Sequence, residues 1–322
     1  MNCLICKKND NVNFLSDFRL EIREDEKYFR DAKIFRCSAC DFSFVSPMPS
    51  TEKLDYFYEK VYRSNARPPF LVSENFEDQK KYYLEDKNLS YISYLTTLID
   101  AKKIKNFYDF GGGNGDIGYA LKKKFPKMNL FCTEGDKYCE KILNERGYKN
   151  IKNLNDIDKK FDLITTTHSL EHLSDINSIL IKFKEILNKD GHIFFEVPNC
   201  TKEYFDGRIY DSPHLLFFTE KSIKKLAEIH NLEIINLSFA AYSFADDHKY
   251  QRESQQEYYN SRKKIVSIYN LKRILKKIIP QKIISFRQDF IKMKSLRKDF
   301  KLDWFINNSG DNCYIRGILK KR

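Results

Sequence analysis

From Lys105 onward, short apolar runs alternate with segments of helical period, and this alternation predicts a parallel sheet covered by helices. Strands are predicted at Asn106 to Phe110, Asn129 to Thr133, Ile151 to Leu154, Phe161 to Thr166 and His192 to Val197. Amphipathic helices separate them, notably Ile117 to Lys124 and Ile176 to Leu187. A helix at Glu220 to His230 leads to a strand at Leu232 to Leu237, and the apolar run Cys313 to Leu319 reads as a last strand that closes the sheet. The expected fold class is α/β, with a mostly parallel sheet.

Upstream the pattern is different. Residues 1–50 carry paired cysteines, include a strand signal at Lys33 to Arg36, and end at Ser46-Pro47-Met48-Pro49. Residues 51–104 form an aromatic connector, with Tyr56, Tyr58, Tyr62, Tyr82, Tyr83, Tyr91 and Tyr94, whose second half reads as helix packing on the next domain. Residues 105–245 together with 309–322 make the sheet domain, and 246–308 are a basic helical insertion. There Ile265, Ile268, Leu271, Leu275 and Ile278 recur at helical spacing with Lys272, Arg273, Lys276 and Lys277 between them, and Pro280 ends or kinks that helix.

Charge sharpens this division. The chain of 322 residues has a formal net charge of +12. Within Arg262 to Lys301 there are 14 Lys or Arg against Asp289 and Asp299, and 14 minus 2 equals the charge of the whole chain. The remainder is neutral overall, so the basic excess belongs to the insertion, which suits a cap over the site, a nucleic-acid clamp, or peripheral contact with an anionic membrane surface. The start, Met1 to Asp10, has no apolar run of the secretory kind, and no transmembrane run of 18 apolar residues occurs anywhere. The expected location is cytoplasmic, where cysteines serve as ligands or buried thiols rather than disulfides.

Cys3-x-x-Cys6 and Cys37-x-x-Cys40, separated by 30 residues, have the spacing of paired zinc knuckles. Four thiolates would close the shell of a structural Zn²⁺ and leave no open position for catalysis. Cys132, Cys139, Cys200 and Cys313 read as small buried apolar residues.

The segment Asn106-Phe-Tyr-Asp-Phe-Gly-Gly-Gly-Asn-Gly-Asp-Ile-Gly118 is a strand, a glycine-rich turn and a helix start. Glycines at 111, 113 and 115 admit close approach of a ligand to the backbone, and the helix start offers unpaired N–H groups. Glu134, 19 residues beyond Gly115, lies at the end of the second strand, where a carboxylate can accept both hydroxyls of a ribose. A nucleoside cofactor is expected here. Gly113-x-Gly115-x-x-Gly118 also fits a dinucleotide fingerprint, but Asp109 just before the glycines suits a sulfonium cofactor carrying an amino group better than a pyrophosphate.

From about Asn106 to Leu237 the chain resembles the Rossmann-like class I methyltransferases, which use S-adenosyl-L-methionine. Asp109-Phe-Gly111-Gly-Gly113-Asn-Gly115 resembles their first motif and Cys132-Thr-Glu134-Gly-Asp136 their second, while Asp156 and Thr167 fall where that family contacts the cofactor. Ser169-Leu-Glu171-His172, Asp190 to Asn199 and Pro213-His214-Leu-Leu-Phe-Phe-Thr219 resemble a subgroup similar to the ubiquinone O-methyltransferases. The resemblance implies an antiparallel last strand. The cysteine pairs ahead of such a domain resemble bacterial enzymes that methylate sugars and glycans, which implies polysaccharide biosynthesis and a small-molecule, glycan-type or nucleotide-sugar acceptor, and the basic insertion suits one that is anionic or lipid-linked.

His168, Glu171, His172 and His214 gather near the expected methyl group. A histidine there could take the proton of an acceptor hydroxyl, the cluster could hold a second divalent metal, or the histidines could be hydrogen-bonded pocket walls. Related Glu-x-x-Glu-His metal sites occur in methyltransferases that this chain resembles, with His168 standing here in place of the first glutamate. The alternatives are a nucleic-acid methyltransferase using the basic insertion, or a non-catalytic protein that binds the cofactor or partners. Against the first, Thr165-Thr-Thr-His-Ser-Leu-Glu171 has no Asp-Pro-Pro-Tyr or Asn-Pro-Pro-Tyr signature after the fourth strand.

Overall fold

A computed structural model of the chain describes residues 1–20, 23–62, 85–137, 139–210, 212–242, 304–307 and 313–322. The basic insertion read at 246–308, with its amphipathic helix and Pro280, lies outside the described residues except for Trp304–Asn307, which form a strand. Tyr82 and Tyr83 also lie outside them.

The N-terminal unit is a ribbon of β1 (Val12–Asp17), a one-turn helix α1 (Arg23–Glu26), β2 (Lys33–Cys37) and β3 (Ser43–Ser46). The connector begins with α2 (Thr51–Tyr56), capped by the Ser50 side chain accepting from the Lys53 N–H, and runs on as a π-helical turn, Phe57–Val61. The second half of the connector is helix, as its pattern predicts: α3, Glu85–Leu98.

The sheet domain then alternates β4 (Asn106–Phe110), α4 (Asp116–Lys124), β5 (Asn129–Thr133), α5 (Glu140–Glu145), β6 (Tyr148–Asn150), β7 (Phe161–Thr167), α6 (Ile176–Ile186) and β8 (Leu187–Pro198). It continues through a two-residue β9 (Leu216–Phe217), α7 (Glu220–Ile229), β10 (Leu232–Tyr242), β11 (Trp304–Asn307) and β12 (Tyr314–Lys321). Strand order in the large sheet is β11-β10-β12-β8-β7-β4-β5-β6. The pairs β8–β7, β7–β4, β4–β5 and β5–β6 are parallel, and β12 runs antiparallel to both β8 and β10. The sheet is mostly parallel in the Rossmann-like manner, with the antiparallel last strand that was expected.

One predicted strand is displaced. Ile151 to Leu154 was expected to be the third strand, but pairing with β5 uses Tyr148–Asn150, and Leu154–Asp156 is a 3₁₀ turn. The cause is local and tertiary at once. Gly147, at φ +74°, turns the chain into the sheet early, and the buried Tyr148 ring packs against the glycine turn. Asn153 then caps the 3₁₀ turn by accepting from the Asn155 N–H.

Alternation along the strands separates two cores. Phe107, Leu130, Leu163, Phe194 and Ile318 face α3, α4 and α5 with Tyr91, Tyr94, Ile117 and Leu143. Phe161, Ile193, Phe195 and Leu319 face α6 and α7 with Leu180, Phe183 and Leu226, and this second core runs on without a break into the N-terminal ribbon through Phe217, Phe218, Phe42 and Phe44. No helix among the described residues is long and apolar enough to cross a membrane.

Candidate functional site

Strand order reverses at β4, where the chain goes first to β5 on one side and then to β7 on the other, so the loops after β4 and β7 part and leave a crevice at the C-terminal edge of the sheet. The glycine turn fills one wall. Gly111, Gly113 and Gly115 all have left-handed backbones, at φ +66°, +53° and +70°. A Cβ on Gly111 would lie 2.2 Å from Ser169 Oγ, and one on Gly115 would lie 2.4 Å from the Tyr148 ring, whereas one on Gly113 would meet nothing within 4 Å. Gly113 therefore borders open space, and the other two are close-packed against the protein itself.

Glu134 sits opposite, and its carboxylate accepts from the Gly113 N–H at 2.7 Å and the Asp136 N–H at 2.7 Å. Asp109 is buried on β4. Burial raises its pKa to about 7, against the opposing effect of the Thr165 hydroxyl that donates to Oδ1 at 2.6 Å, with the charges of Asp116 and Glu134 adding to the rise. Thr167 ends β7, and Asp156 lies exposed on the turn that follows β6. Asn114, a residue the sequence reading passed over, is buried within the glycine turn with neither its amide nitrogen nor its amide oxygen hydrogen-bonded.

The second wall carries the histidines. His168, directly after β7, has a left-handed backbone at φ +54°, a conformation costing a non-glycine residue about 1–2 kcal/mol. Its N–H donates to the Glu196 carbonyl at 2.9 Å, and its ring lies between two carboxylates, with Nε2 3.0 Å from Glu196 Oε1 and Nδ1 3.5 Å from Glu171 Oε1. Glu171 is 1% exposed, and neither of its oxygens has a hydrogen-bond partner. Burial pushes its pKa up, but the side-chain contact with His168, and then the electrostatic effect of the surrounding histidines, outweigh burial and hold it at about 2. An oxygen of Glu171 and a ring nitrogen of each of His172 and His214 all lie within 4.8 Å of one another. The two imidazoles meet edge to face at 4.8 Å.

Each of these rings is held at Nδ1. His172 Nδ1 is 3.1 Å from the Pro213 carbonyl and 3.0 Å from the Tyr58 hydroxyl, and His214 Nδ1 is 3.2 Å from the Tyr204 hydroxyl. A carbonyl only accepts, so in the neutral His172 ring the proton sits on Nδ1 and Nε2 is the basic nitrogen. Burial pushes His214 well below the ordinary histidine range.

Behind His168 lies a buried network that sequence reasoning missed. Glu196 on β8 and Arg316 on β12 face each other across the antiparallel pair, both 0% exposed, with Arg316 Nε donating to Glu196 Oε2 at 2.8 Å. From α3, the Tyr91 hydroxyl donates to Glu196 Oε1 at 2.5 Å, Ser90 Oγ accepts from Arg316 at 2.7 Å, and the Tyr91 ring covers the guanidinium at 4.6 Å. The signal was present: one acid stands in the apolar run His192 to Val197, and one arginine in Cys313 to Leu319.

Cys3, Cys6, Cys37 and Cys40 converge in the ribbon, with Sγ atoms of Cys3 and Cys40, and of Cys6 and Cys37, 3.6 Å apart. The cluster has the composition and proximity to hold a metal ion. Cys132, Cys139, Cys200 and Cys313 are buried free thiols, as expected.

Residues 81–237 match a family of sequences described as a methyltransferase domain. No curated protein matches the chain. Among solved structures, the chain is similar to an S-adenosylmethionine-dependent methyltransferase from Thermotoga maritima, at 13% identity and a TM-score of 0.47 over 76% of this chain and 95% of that one. It is also similar to a plantazolicin methyltransferase in complex with S-adenosylhomocysteine, at 12% identity and a TM-score of 0.45 over 84% and 94% of the two chains. Coclaurine N-methyltransferase is matched at 12% identity and a TM-score of 0.44, over 82% and 78%.

Proposed function

We propose that this chain, an S-adenosylmethionine-dependent methyltransferase of the Rossmann-like class I fold, methylates a hydroxyl of a small-molecule or glycan-type acceptor, with His172 taking the proton. The observation that carries this reading is Glu171, a buried carboxylate kept ionised by the histidines around it, with His168 Nδ1 at 3.5 Å and ring nitrogens of His172 and His214 within 4.8 Å. An uncompensated buried charge is costly, so this one is supported by positive charge beside it. His168, with both ring nitrogens toward carboxylates, has no lone pair to offer and serves as the resident counter-charge. His172, with its Nδ1 proton directed at the Pro213 carbonyl, keeps Nε2 as its basic nitrogen and has a ring nitrogen within 4.8 Å of the same carboxylate.

The cofactor would lie along the glycine turn, with Asp109 near its amino group, Glu134 on the ribose, and Asp156 and Thr167 at its borders. In the transfer the acceptor oxygen forms a bond to the methyl carbon as the carbon–sulfur bond breaks, and that electron pair stays on sulfur. The acceptor proton passes to His172, and Glu171 stabilises the imidazolium that results. Because the reaction is a displacement in line, much of the protein's contribution is to hold oxygen, carbon and sulfur in order.

The same observation favours a second reading, in which Glu171, His172 and His214 hold a divalent cation. One carboxylate and two imidazoles with nearby Nδ1 partners are a donor set that fits Zn²⁺ or a similar ion and leaves positions open. Such an ion would acidify a bound hydroxyl. Glu171→Gln in the full chain separates the readings. Loss of transfer with unchanged Mn²⁺ and Co²⁺ binding by calorimetry supports His172 alone, whereas joint loss of both supports the cation. Full transfer by Glu171→Gln, or products methylated only on nitrogen or carbon in a mass-spectrometric screen of sugars and nucleotide sugars, would overturn the proposal.

For the ribbon we propose a structural Zn²⁺ on Cys3, Cys6, Cys37 and Cys40. A tetrahedral ion with Zn–S near 2.3 Å places sulfurs about 3.8 Å apart, close to the 3.6 Å found. Metal analysis should find one zinc per chain that Cys37→Ser loses; an unchanged zinc content would exclude the site.

A further inference from the structure

We infer that the four-cysteine ribbon is a positioning element of the acceptor site, not an independent appendage. The inference rests on the placement of that site at His172 and His214 proposed above. Its ground is the path of the main chain.

The second cysteine pair closes the turn between β2 and β3, with the Asp41 N–H donating to the Cys37 carbonyl at 2.8 Å and the Cys37 N–H to the Phe42 carbonyl at 2.8 Å. The next strand, β3, does not end the ribbon sheet. It pairs with β9, a strand of the sheet domain, through Ser43 with Phe217 and Phe44 with Leu216. At the end of this pair the Val45 N–H donates to the Leu215 carbonyl at 2.9 Å, and the Leu215 N–H in turn donates to the Glu171 carbonyl at 2.7 Å. Two successive hydrogen bonds thus join the ribbon to the residue beside His214 and then to the buried carboxylate.

Side chains repeat the connection. Phe42 and Phe218 pack at 5.4 Å across the β3–β9 seam, and Val45, Leu215, Leu216 and Phe217 are fully buried. The connector leaving the ribbon brings the Tyr58 hydroxyl to His172 Nδ1, and Thr51 Oγ1 to Ser174 Oγ at 3.3 Å. At the other cysteine pair, Asn177 Nδ2 donates to the Leu4 carbonyl at 3.0 Å. The glycine turn and Glu134 receive none of these contacts, so ribbon and cofactor pocket should be separable by mutation.

The test uses the full chain and two substitutions outside the cysteines. Val45→Pro deletes the N–H that reaches Leu215, and Tyr58→Phe deletes the hydroxyl at His172. In Val45→Pro, hydrogen exchange of the amides at 214–218 and 170–173 should quicken roughly fivefold to tenfold, the change one lost hydrogen bond makes in a local opening equilibrium. S-adenosylhomocysteine affinity and exchange across β4 and β5 should stay as in wild type. In Tyr58→Phe the ring ¹⁵N resonances of His172 should move while S-adenosylhomocysteine affinity does not. Should Val45→Pro fail to fold, Tyr58→Phe alone decides. Unchanged exchange at 214–218 in a folded Val45→Pro protein, or an unmoved His172 resonance in Tyr58→Phe, would overturn the inference. Neither readout depends on which histidine takes the proton, so it can fail while that assignment survives.

Discussion

Gly113 and Gly115 lie two residues apart in one turn with nearly the same backbone, yet alanine at each should fail in a different way. A left-handed alanine costs about 1–2 kcal/mol. At Gly113 there is nothing more to add, because its Cβ would meet no atom within 4 Å. A fold with stability on the order of 5–15 kcal/mol survives that loss. At Gly115 the Cβ would lie 2.4 Å from Tyr148 Cε2 and 2.9 Å from Leu143 Cδ2. Tyr148 cannot swing away, since it is buried and its hydroxyl donates to the Gly115 carbonyl at 2.9 Å. Overpacking of this kind adds about 1–3 kcal/mol. Gly115→Ala should therefore lower the melting temperature by roughly 5–15 °C. Gly113→Ala should melt within a few degrees of wild type but, with its methyl in the space assigned to the cofactor, lose at least about 100-fold in affinity for S-adenosylhomocysteine, about 2.7 kcal/mol. Scanning fluorimetry and calorimetry on the two variants settle it. Wild-type affinity in Gly113→Ala, or wild-type stability in Gly115→Ala, would show that the open and closed sides of the turn are assigned wrongly.

Two further outcomes follow from buried charge. Asp109 holds its proton up to about pH 7 in the free protein, and the proposed pairing with the cofactor's ammonium requires the ionised form. Below pH 7 binding must expel that proton, so affinity for S-adenosylhomocysteine should rise with pH toward 7 and level off above it. Asp109→Asn should flatten the profile, and a wild-type profile already flat from pH 5 to 8 would remove Asp109 from cofactor binding. Arg316→Met strands Glu196 in the core and should cost about 3–5 kcal/mol by urea denaturation, with part regained in the double variant carrying Glu196→Gln. A loss below about 1 kcal/mol, the size of an exposed ion pair, would mean that water reaches the pair.

What could be read from the sequence divides by the range of the forces involved. β4, β5, β7 and β8 were legible because their apolar runs state burial directly, and the glycine turn because a left-handed backbone demands glycine at 111, 113 and 115. The third strand was misplaced because Ile151 and Leu154 carry the apolar signal, while the residue that pairs and packs is Tyr148, whose ring finds its place only against Gly115 and Gly118. The histidines were legible as a group but not in their roles. Only distances show that His168 has both nitrogens against carboxylates and that the Glu171 oxygens lack hydrogen bonds. Glu196 and Arg316 left a visible trace, a charge of each sign in otherwise apolar strands, and their 120-residue separation hid only the partner.

The β3–β9 seam left no trace at all, and the reason bears on how the two units work together. Two paired residues on each strand are too few to impose a period on the sequence. Leu216 and Phe217 read equally well as ordinary core residues of the loop after His214. Yet the pair is buried at the junction of ribbon and sheet domain, where the Val45 and Leu215 hydrogen bonds are shielded from water. A buried hydrogen bond is costly to leave unmade, so Val45 and Leu215 keep their register only while β3 keeps its own. Order imposed on β3 by the cysteine cluster is thereby imposed on the loop that carries His214, and the cluster's position in the chain, one turn ahead of β3, is what gives it that reach.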